Sequence, residues 1–241
     1  MTDVRIGTAG WAIPRQVAGG FPSNGSGLQR YAARLNAVEI NSTFYRSHRP
    51  ATLARWAETT PPEFRFAVKT PRAITHERRL ADAADILATF MAELAPLSGK
   101  LGPVLVQLPP SLSFDAATAA LFFRTLRAVW PGPAACEPRH VSWFEDGSAD
   151  ALLRSFHVAR VAADPACHPS AATPGGWLGL TYWRLHGSPR MYYSAYEVAQ
   201  LEALSQLLRS EGSGEVWCVF DNTTSGAAAA NALDLRARMM C

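Results

Sequence analysis

The sequence predicts a single α/β domain of the (β/α)₈ TIM-barrel type, with an irregular sixth unit, across residues 1–241. Short apolar runs alternate eight times with segments of helical periodicity, which indicates parallel strands covered by helices. The length of 241 residues suits such barrels, which typically need about 250 residues. Polar residues gather at the C-terminal ends of the runs, where barrels carry their active sites. An open, doubly wound sheet is the main alternative.

The eight predicted strands are short apolar runs bounded by Gly, Pro, Asn or Asp. Parallel strands with helices on their outer side are expected to be rich in Val, Ile and Leu, as these are. In chain order the predicted strands are Val4–Thr8, Ala37–Asn41, Phe64–Lys69, Pro103–Leu108, Ala134–Glu137, Val158–Ala163, Thr181–His186 and Glu215–Phe220.

The segments between the strands carry apolar residues at helical spacing. Leu28, Tyr31, Ala32 and Leu35 recur at i, i+3, i+4 and i+7, which makes one apolar stripe. The stretch 167–176 is rich in Pro and Gly, so the sixth unit is predicted to hold a loop instead of a regular helix. Further helical stripes are predicted at Leu53–Ala57, Ile86–Leu94, Ala119–Leu126 behind an Asp115 N-cap, Val198–Leu208 and Ala227–Met239.

The composition excludes some classes of protein. Hydrophobic residues make up 48% and charged residues 18%, a globular balance that argues against disorder. A net charge of +3 gives only weak support to a nucleic-acid partner. Neither a signal peptide nor an apolar run long enough for a membrane span is found, so a cytoplasmic protein is expected. The four cysteines match no zinc spacing, and no cofactor can be assigned.

Alternation along the strands predicts which side chains point into the barrel. Successive side chains point to opposite faces, and the face toward the helices should be uniformly apolar. Val38 and Ile40 then face the helices, which turns their alternate neighbours inward. The same argument applies to the third, fourth and seventh predicted strands. Glu137 is the last residue of the fifth predicted strand. The predicted inward polar residues are Glu39, Asn41, Arg65, Lys69, Gln107, Tyr182, Arg184 and His186.

These residues allow two interpretations. In the first, Glu39 and Glu137 act as an acid–base pair, Lys69 forms an imine or binds phosphate, and His186 is a general acid. In the second, they form a structural layer of ion pairs, with Glu39 bound to Lys69 and Glu137 bound to Arg184. Barrels usually fill their inner layers with aliphatic residues, which favours the first interpretation.

Two other chemistries stay open. A metal site built from carboxylates and His186 is chemically possible, but no compact ligand motif supports it. An anion site is predicted where His186–Pro189 and Asp221–Gly226 follow the last two strands, because small residues before a helix expose backbone N–H groups. Ordinary turn and N-cap chemistry explains these loops equally well. The candidate metal ligands are Glu39, Glu137, Asp164, His186 and Asp221.

Several motifs taken together resemble the domain-of-unknown-function family 72, also called YecE-like, over nearly the whole length. The resemblance implies a TIM-type barrel but no established activity. The segment between Trp11 and Leu28 resembles the family pattern least. The supporting motifs are Ile6–Trp11, Val38–Arg46, Phe64–Leu80, Leu101–Phe114, Cys136–Phe144, Tyr182–Ser188 and Phe220–Leu233. The motif residues carried over are Gly7, Thr8, Glu39, Asn41, Lys69, His76, Gln107, Glu137, Arg139, Arg184, His186 and Asn222.

The favoured hypothesis is an enzyme that acts on a small phosphorylated or sugar-like molecule at the C-terminal face of the barrel. Its catalytic residues would be Glu39, Lys69, Glu137 and His186. One alternative is a metal-assisted phosphodiesterase or nucleic-acid-processing barrel. The other is a non-catalytic ligand-binding protein. The predicted substrate-binding residues are Thr8, Asn41, His76, Gln107, Arg139, Arg184 and Asn222.

Overall fold

The computed structural model describes residues 4–211 and 214–240, apart from the side chain of Ser98. Within them it shows an α/β fold with parallel strands, as predicted. The strands are β1 Val4–Thr8, β2 Ala37–Ile40, β3 Arg65–Lys69, β4 Leu101–Gln107, β5 Ala134–Glu137, β6 Ala159–Arg160, β7 Ala162–Asp164, β8 Gly175–Gly176, β9 Leu180–Leu185 and β10 Glu215–Phe220. The α-helices are α1 Gly27–Ala32, α2 Pro50–Thr59, α3 Ala84–Leu94, α4 Ala116–Val129, α5 Ser148–Ser155, α6 Val198–Ser210 and α7 Ala227–Met240.

The strands form two sheets, ordered β1-β10-β9-β7 and β2-β3-β4-β5-β6-β8. All pairings are parallel except β6 with β8. The sheets approach each other at β1 and β2, where Ala9 bridges to Glu39 and the Gly10 N–H donates to the Glu39 carbonyl at 2.8 Å. A Cβ added at Gly7 would lie 2.2 Å from the Ala37 carbonyl oxygen. Only glycine therefore permits this close approach of β1 to β2.

The sixth predicted strand is irregular, and the structure shows how. Val161 divides it into β6, which pairs with β5, and β7, which pairs with β9. The Val161 N–H still donates to the Cys136 carbonyl at 2.8 Å, so the chain stays bound to β5 at the break. The Pro- and Gly-rich segment after it contains a short 3₁₀ helix, Pro169–Ala172, and β8. Helix α5, which precedes this strand, was not predicted.

Two apolar clusters lie on opposite sides of the strands. The larger one holds the helix-facing side chains, including Val38, Ile40 and Trp183. The smaller one lies on the other face and combines small with large residues. A Cβ at Gly102 would lie 2.6 Å from the Trp217 ring, so glycine provides the space that this indole fills. The smaller cluster consists of Ala37, Ala67, Leu105, Ala135, Ala159, Val161, Leu180, Tyr182, Trp217 and Val219.

This division confirms the alternation predicted for β2, β3, β4 and β9. The smaller cluster lies beneath the polar residues at the C-terminal ends. Arg65, at the start of β3, is partly exposed and donates Nη1 to the Pro62 carbonyl at 2.8 Å. No helix in the described ranges is both long and apolar enough to cross a membrane. Cys136, Cys167 and Cys218 are free thiols, and Cys241 lies outside the described residues.

Candidate active site

Arg184 is the centre of a buried ion-pair network at the C-terminal ends of the strands. Its guanidinium binds Glu39 from β2 through two contacts, Nε to Oε2 at 3.0 Å and Nη2 to Oε1 at 2.8 Å. It reaches Glu137, at the end of β5, through Nη1 to Oε2 at 2.6 Å. Nη2 also donates to Oδ2 of Asp221, just after β10, at 3.0 Å. One cation thus joins three carboxylates that come from distant parts of the chain.

His186 connects two of these carboxylates. Its Nε2 lies 2.8 Å from Glu137 Oε1, and its Nδ1 lies 3.0 Å from Asp221 Oδ2. Both ring nitrogens face carboxylate oxygens, an arrangement that a doubly protonated imidazolium satisfies best. Burial lowers the pKa of His186, but the charge of Glu137 and the two hydrogen bonds outweigh it, so the net pKa is raised. The network therefore favours a charged His186.

Two neutral side chains complete the hydrogen bonding of the glutamates. The Tyr182 hydroxyl donates to Glu39 Oε2 at 2.9 Å, and Gln107 Nε2 donates to Glu137 Oε2 at 2.9 Å. Glu39 and Glu137 are therefore both buried, and protein groups lie within hydrogen-bond distance of their carboxylate oxygens. The predicted pair of Glu137 with Arg184 is present. Glu39 is bound by Arg184 and not by Lys69, so that predicted ion pair is not formed.

The network holds Glu137 and Asp221 ionised. Burial raises the pKa of Glu137, but Arg184 and His186 outweigh it and bring that pKa well below its usual range. Asp221 follows the same pattern: burial opposes ionisation, and Arg184 lowers its pKa below the ordinary value. A general acid needs a raised pKa. Glu137 is therefore suited to orient and charge His186 rather than to donate a proton itself.

Lys69 differs from every other charged residue at this site. It ends β3 and is partly buried, yet within residues 4–211 and 214–240 no hydrogen bond or ion pair engages its ammonium. Its nearest described contact is the Phe44 ring, whose centroid lies 4.2 Å from Nζ. Burial, followed by the charge of Arg184, lowers the pKa of Lys69 to about 8 although three carboxylates act in the opposite sense. A partly exposed amine is thus available beside the network.

His76 and Arg139 lie toward solvent from the network. The His76 ring packs edge-on against Phe44, with centroids 4.9 Å apart, and Thr75 Oγ1 lies 2.8 Å from its Nδ1. Burial and then the charge of Lys69 lower the pKa of His76, which is consistent with a position near the ammonium. Arg139 approaches the Tyr192 hydroxyl at 3.4 Å. Both side chains are half-buried, and their role as substrate-binding residues stays a prediction.

The remaining predicted binding residues lie apart from Arg184. Thr8 Oγ1 donates to the Gly10 carbonyl and to the Tyr31 hydroxyl at 3.0 Å, so it faces helix α1. Strand alternation already indicates this orientation, because Val4, Ile6 and Thr8 lie on the same side of β1 and the first two face the helices. Asn222 Nδ2 donates to the Ser194 carbonyl and to Asn231 Oδ1, each at 2.9 Å. Asn41 is half-buried, and its Oδ1 lacks a hydrogen-bond partner in the described structure.

Asp221 and Tyr182 join the network, although neither was among the predicted catalytic or substrate-binding residues. Asp221 had been named only as a candidate metal ligand. Tyr182 had been placed on the inward face by alternation, but without a role. For Asp221 the difficulty was the register of β10, because Trp217 and Val219 make one apolar pair and Cys218 and Phe220 make another. Trp217 and Val219 turn out to face inward, with Trp217 stacked on Tyr182 at 5.9 Å between ring centroids. Two residues later, Asp221 points inward and Asn222 points away.

Three donors of the two loops expected to hold an anion are engaged by protein groups. The Thr224 N–H donates to the Tyr192 carbonyl at 3.1 Å, and Ser225 Oγ donates to the Tyr193 carbonyl at 2.6 Å. The Gly187 N–H donates to the Tyr196 hydroxyl at 2.9 Å. These donors hold the loops together and are not free for phosphate. The anion site at these loops stays a prediction.

The predicted metal ligands are also engaged by protein groups. Glu39, Glu137 and Asp221 bind Arg184, and Asp164 Oδ2 accepts a hydrogen bond from the Tyr196 hydroxyl at 2.6 Å. Across the described ranges, no group of three or more His, Cys, Asp or Glu side chains has an arrangement suited to a metal ion. The donor set thus serves an arginine-centred network.

Comparison with known proteins identifies a family and a relative that this chain matches. The family model described as "Protein of unknown function DUF72" matches residues 5–241. The protein YecE of Escherichia coli strain K12 is 32% identical over 163 residues, which cover 64% of this chain and 55% of YecE. The match thus spans about half the length of that curated relative.

Solved structures share the fold. A DUF72 family protein of Enterococcus faecalis V583 aligns with a TM-score of 0.82 at 22% identity, over 99% of this chain and 96% of that one. The 3-keto-D-glucoside 4-epimerase YcjR of E. coli aligns with a TM-score of 0.56 at 15% identity, over 99% and 100% of the two chains. The family match over nearly the whole length, with its motifs in order, establishes that this chain belongs to the DUF72 family.

Proposed function

We propose that this chain is an enzyme that binds a small sugar-like or phosphorylated molecule at the C-terminal face of a closed (β/α)₈ barrel. The eight parallel strand units support the barrel, with β6 and β7 counted as one and with β1 meeting β2 through the Ala9 bridge. The observation that carries the proposal is the ammonium of Lys69, to which no described residue provides an ion pair or hydrogen bond. Burying a charge without a partner is costly, so such a group is retained where a ligand supplies the partner.

The network contributes acid–base and electrostatic catalysis. Lys69 contacts the substrate and stabilises negative charge that develops on it, or takes up a proton as the neutral amine. Arg184 and His186 supply positive charge beneath the substrate, while Glu39 and Glu137 hold these two cations in place. His76 and Arg139 lie where they can bind an anionic or hydroxyl-bearing part of the substrate. Catalysis then depends on groups ordered before the substrate arrives, which avoids reorganisation during the reaction.

The choice of a sugar-like or phosphorylated substrate depends on three partly exposed residues, Lys69, His76 and Arg139. A lysine, an arginine and a histidine beside aromatic rings suit a ligand that combines anionic or hydroxyl groups with an apolar face. YcjR is an epimerase of a keto glucoside by its name, and its similarity to this chain concerns the fold. The metal-assisted alternative gains no support from a donor set already bound to Arg184.

A non-catalytic ligand-binding protein is the second candidate function. It is favoured by the complete ion pairing of Glu39 and Glu137, because carboxylates held in this way exchange protons poorly. Under this alternative Lys69 would still bind the ligand, but no product would form. Turnover measurements on whichever ligand class binds would separate the two candidates.

The first test is thermal unfolding against phosphate, sugar phosphates, sugars, nucleotides and oligonucleotides, with and without divalent metals. A ligand at about 100 times its Kd adds roughly 2.7 kcal/mol of stability. For a chain of this size that raises Tm by about 5 to 10 °C. We expect sugars or sugar phosphates to stabilise the wild type and to lose this effect in Lys69→Met. Stabilisation by oligonucleotides and metal alone would contradict the proposal.

A further inference from the structure

We propose that Lys69 is a nucleophile that captures the carbonyl carbon of an aldehyde or keto substrate as an imine. This inference rests on the proposed function and specifies the substrate class of the same site. An amine that forms an imine must be reachable, free of competing partners and held near groups that exchange protons. Lys69 meets the first two conditions, because its side chain is partly exposed and no described hydrogen bond or ion pair engages Nζ.

The chain offers an internal contrast, since it has only two lysines, Lys69 and Lys100. The Lys100 ammonium donates to the carbonyls of Ala57 and Thr60, each at 2.6 Å, and to Thr60 Oγ1 at 3.1 Å. Its three donors are thus all engaged, as expected for a structural lysine that joins two segments. The ammonium of Lys69 instead faces the Phe44 ring, which carries no hydrogen-bond acceptor of comparable strength.

The surroundings of Lys69 favour the neutral amine needed for attack. With the pKa of Lys69 lowered to about 8, roughly 9% of it is neutral at pH 7, against roughly 0.03% for a lysine of ordinary pKa. The absence of described partners at Nζ and the lowered pKa of Lys69 thus both favour attack on a carbonyl carbon. The Phe44 ring supplies an apolar wall on one side, and the Arg184 network supplies charge on the other.

The reaction balances with groups that the site holds. The Nζ lone pair attacks the carbonyl carbon, the C–O π electrons move to oxygen, and a proton passes from nitrogen to that oxygen to give a carbinolamine. Protonation of the hydroxyl and loss of water then leave the iminium. Water carries these protons, and the proton spent on the hydroxyl is the one that the Lys69 ammonium releases when it becomes neutral. The ionised carboxylate of Asp221, which keeps a small exposed fraction and whose charge acts on Lys69, stabilises the iminium. Arg184 and His186 both contact Oδ2 of Asp221, so neither occupies Oδ1.

The test is reductive trapping with cyanoborohydride at pH 7, with glycolaldehyde as an uncharged probe and glyoxylate as an anionic one. Hydride addition to the iminium carbon leaves a stable secondary amine, which peptide mass mapping assigns to Lys69, Lys100 or the chain terminus. We expect Lys69 to be labelled at least tenfold faster than Lys100. Lys100→Arg should keep the Lys69 label, and Lys69→Met should abolish it.

Two outcomes overturn the inference in distinguishable ways. If Lys69 is labelled no faster than Lys100 while acetic anhydride acetylates it rapidly, the amine is reachable but forms no imine. If sugar ligands still stabilise the wild type and not Lys69→Met, the proposed function then stands without the imine. If neither probe labels Lys69 and no sugar or phosphate ligand stabilises the protein, both the inference and the proposed function fail.

Discussion

Replacing Lys69 by methionine should stabilise the folded chain at neutral pH while it removes ligand binding. The pKa of this lysine falls from an ordinary value of 10.5 to about 8 in the fold, so its charged form is disfavoured there. At about 1.36 kcal/mol per pKa unit, the cost is at most about 3 kcal/mol. Methionine has a similar length and no charge, so it avoids that cost.

The gain should depend on pH in a defined way. A lysine with a lowered folded pKa costs stability fully below that pKa, and the cost disappears as pH rises toward its unfolded pKa. The advantage of Lys69→Met should therefore fall from about 3 kcal/mol at pH 7 to about 1.4 kcal/mol near pH 9.5. At pH 7 the upper limit corresponds to a rise in Tm of about 6 to 12 °C.

The assay is urea and thermal unfolding of wild type, Lys69→Met and Lys100→Met at both pH values. Lys100→Met is the matched control, because it leaves the Ala57 and Thr60 carbonyls without their donor. It should lose about 1 to 3 kcal/mol. The two lysine variants should thus change stability in opposite directions. A loss of 1 kcal/mol or more in Lys69→Met at pH 7 would refute the reasoning and indicate a structural ion pair.

Three further changes test the network and its surroundings. Arg184→Met leaves Glu39, Glu137 and Asp221 without their shared cation, so we expect a loss of about 3 to 5 kcal/mol at pH 7. Partial recovery near pH 5 is expected as the carboxyls protonate, and equal stability at both pH values in urea unfolding would contradict it. Thr8→Val should lower the free energy of unfolding by about 1 kcal/mol, because the hydrogen bonds of Thr8 are lost. Ligand affinity measured by calorimetry should stay unchanged, and weaker binding would indicate that Thr8 belongs to the binding site. His186, with its raised pKa, should stay protonated above about pH 6.5, and its stabilisation should be complete below that pH and fade as pH rises through the folded pKa. NMR titration of the imidazole measures this, and a midpoint below 6.5 would contradict it.

Strand alternation was enough to predict much of the site. In β2, β3 and β9 one set of alternate residues is uniformly apolar, so Glu39, Lys69 and Arg184 could only face inward. This works because the two-residue period of a strand is a local property of the backbone. Near the end of β10 both alternate sets carry large apolar residues, and the register was not assigned from the sequence, so Asp221 and Asn222 stayed undistinguished. The packing of Trp217 against Tyr182 made that choice.

Local patterns in the sequence predict the α/β class, the parallel order of strands and helices, and the gathering of polar side chains at one end of the strands. Which of these side chains pair depends on the tertiary structure. Glu39 and Arg184 are 145 residues apart, and their contact depends on how β2 and β9 come to face each other. No local pattern encodes that distance, because it results from the packing of the intervening elements. The same packing leaves Lys69 beside the network without an ion pair to any described residue, although the interpretation as a structural layer had paired it with Glu39.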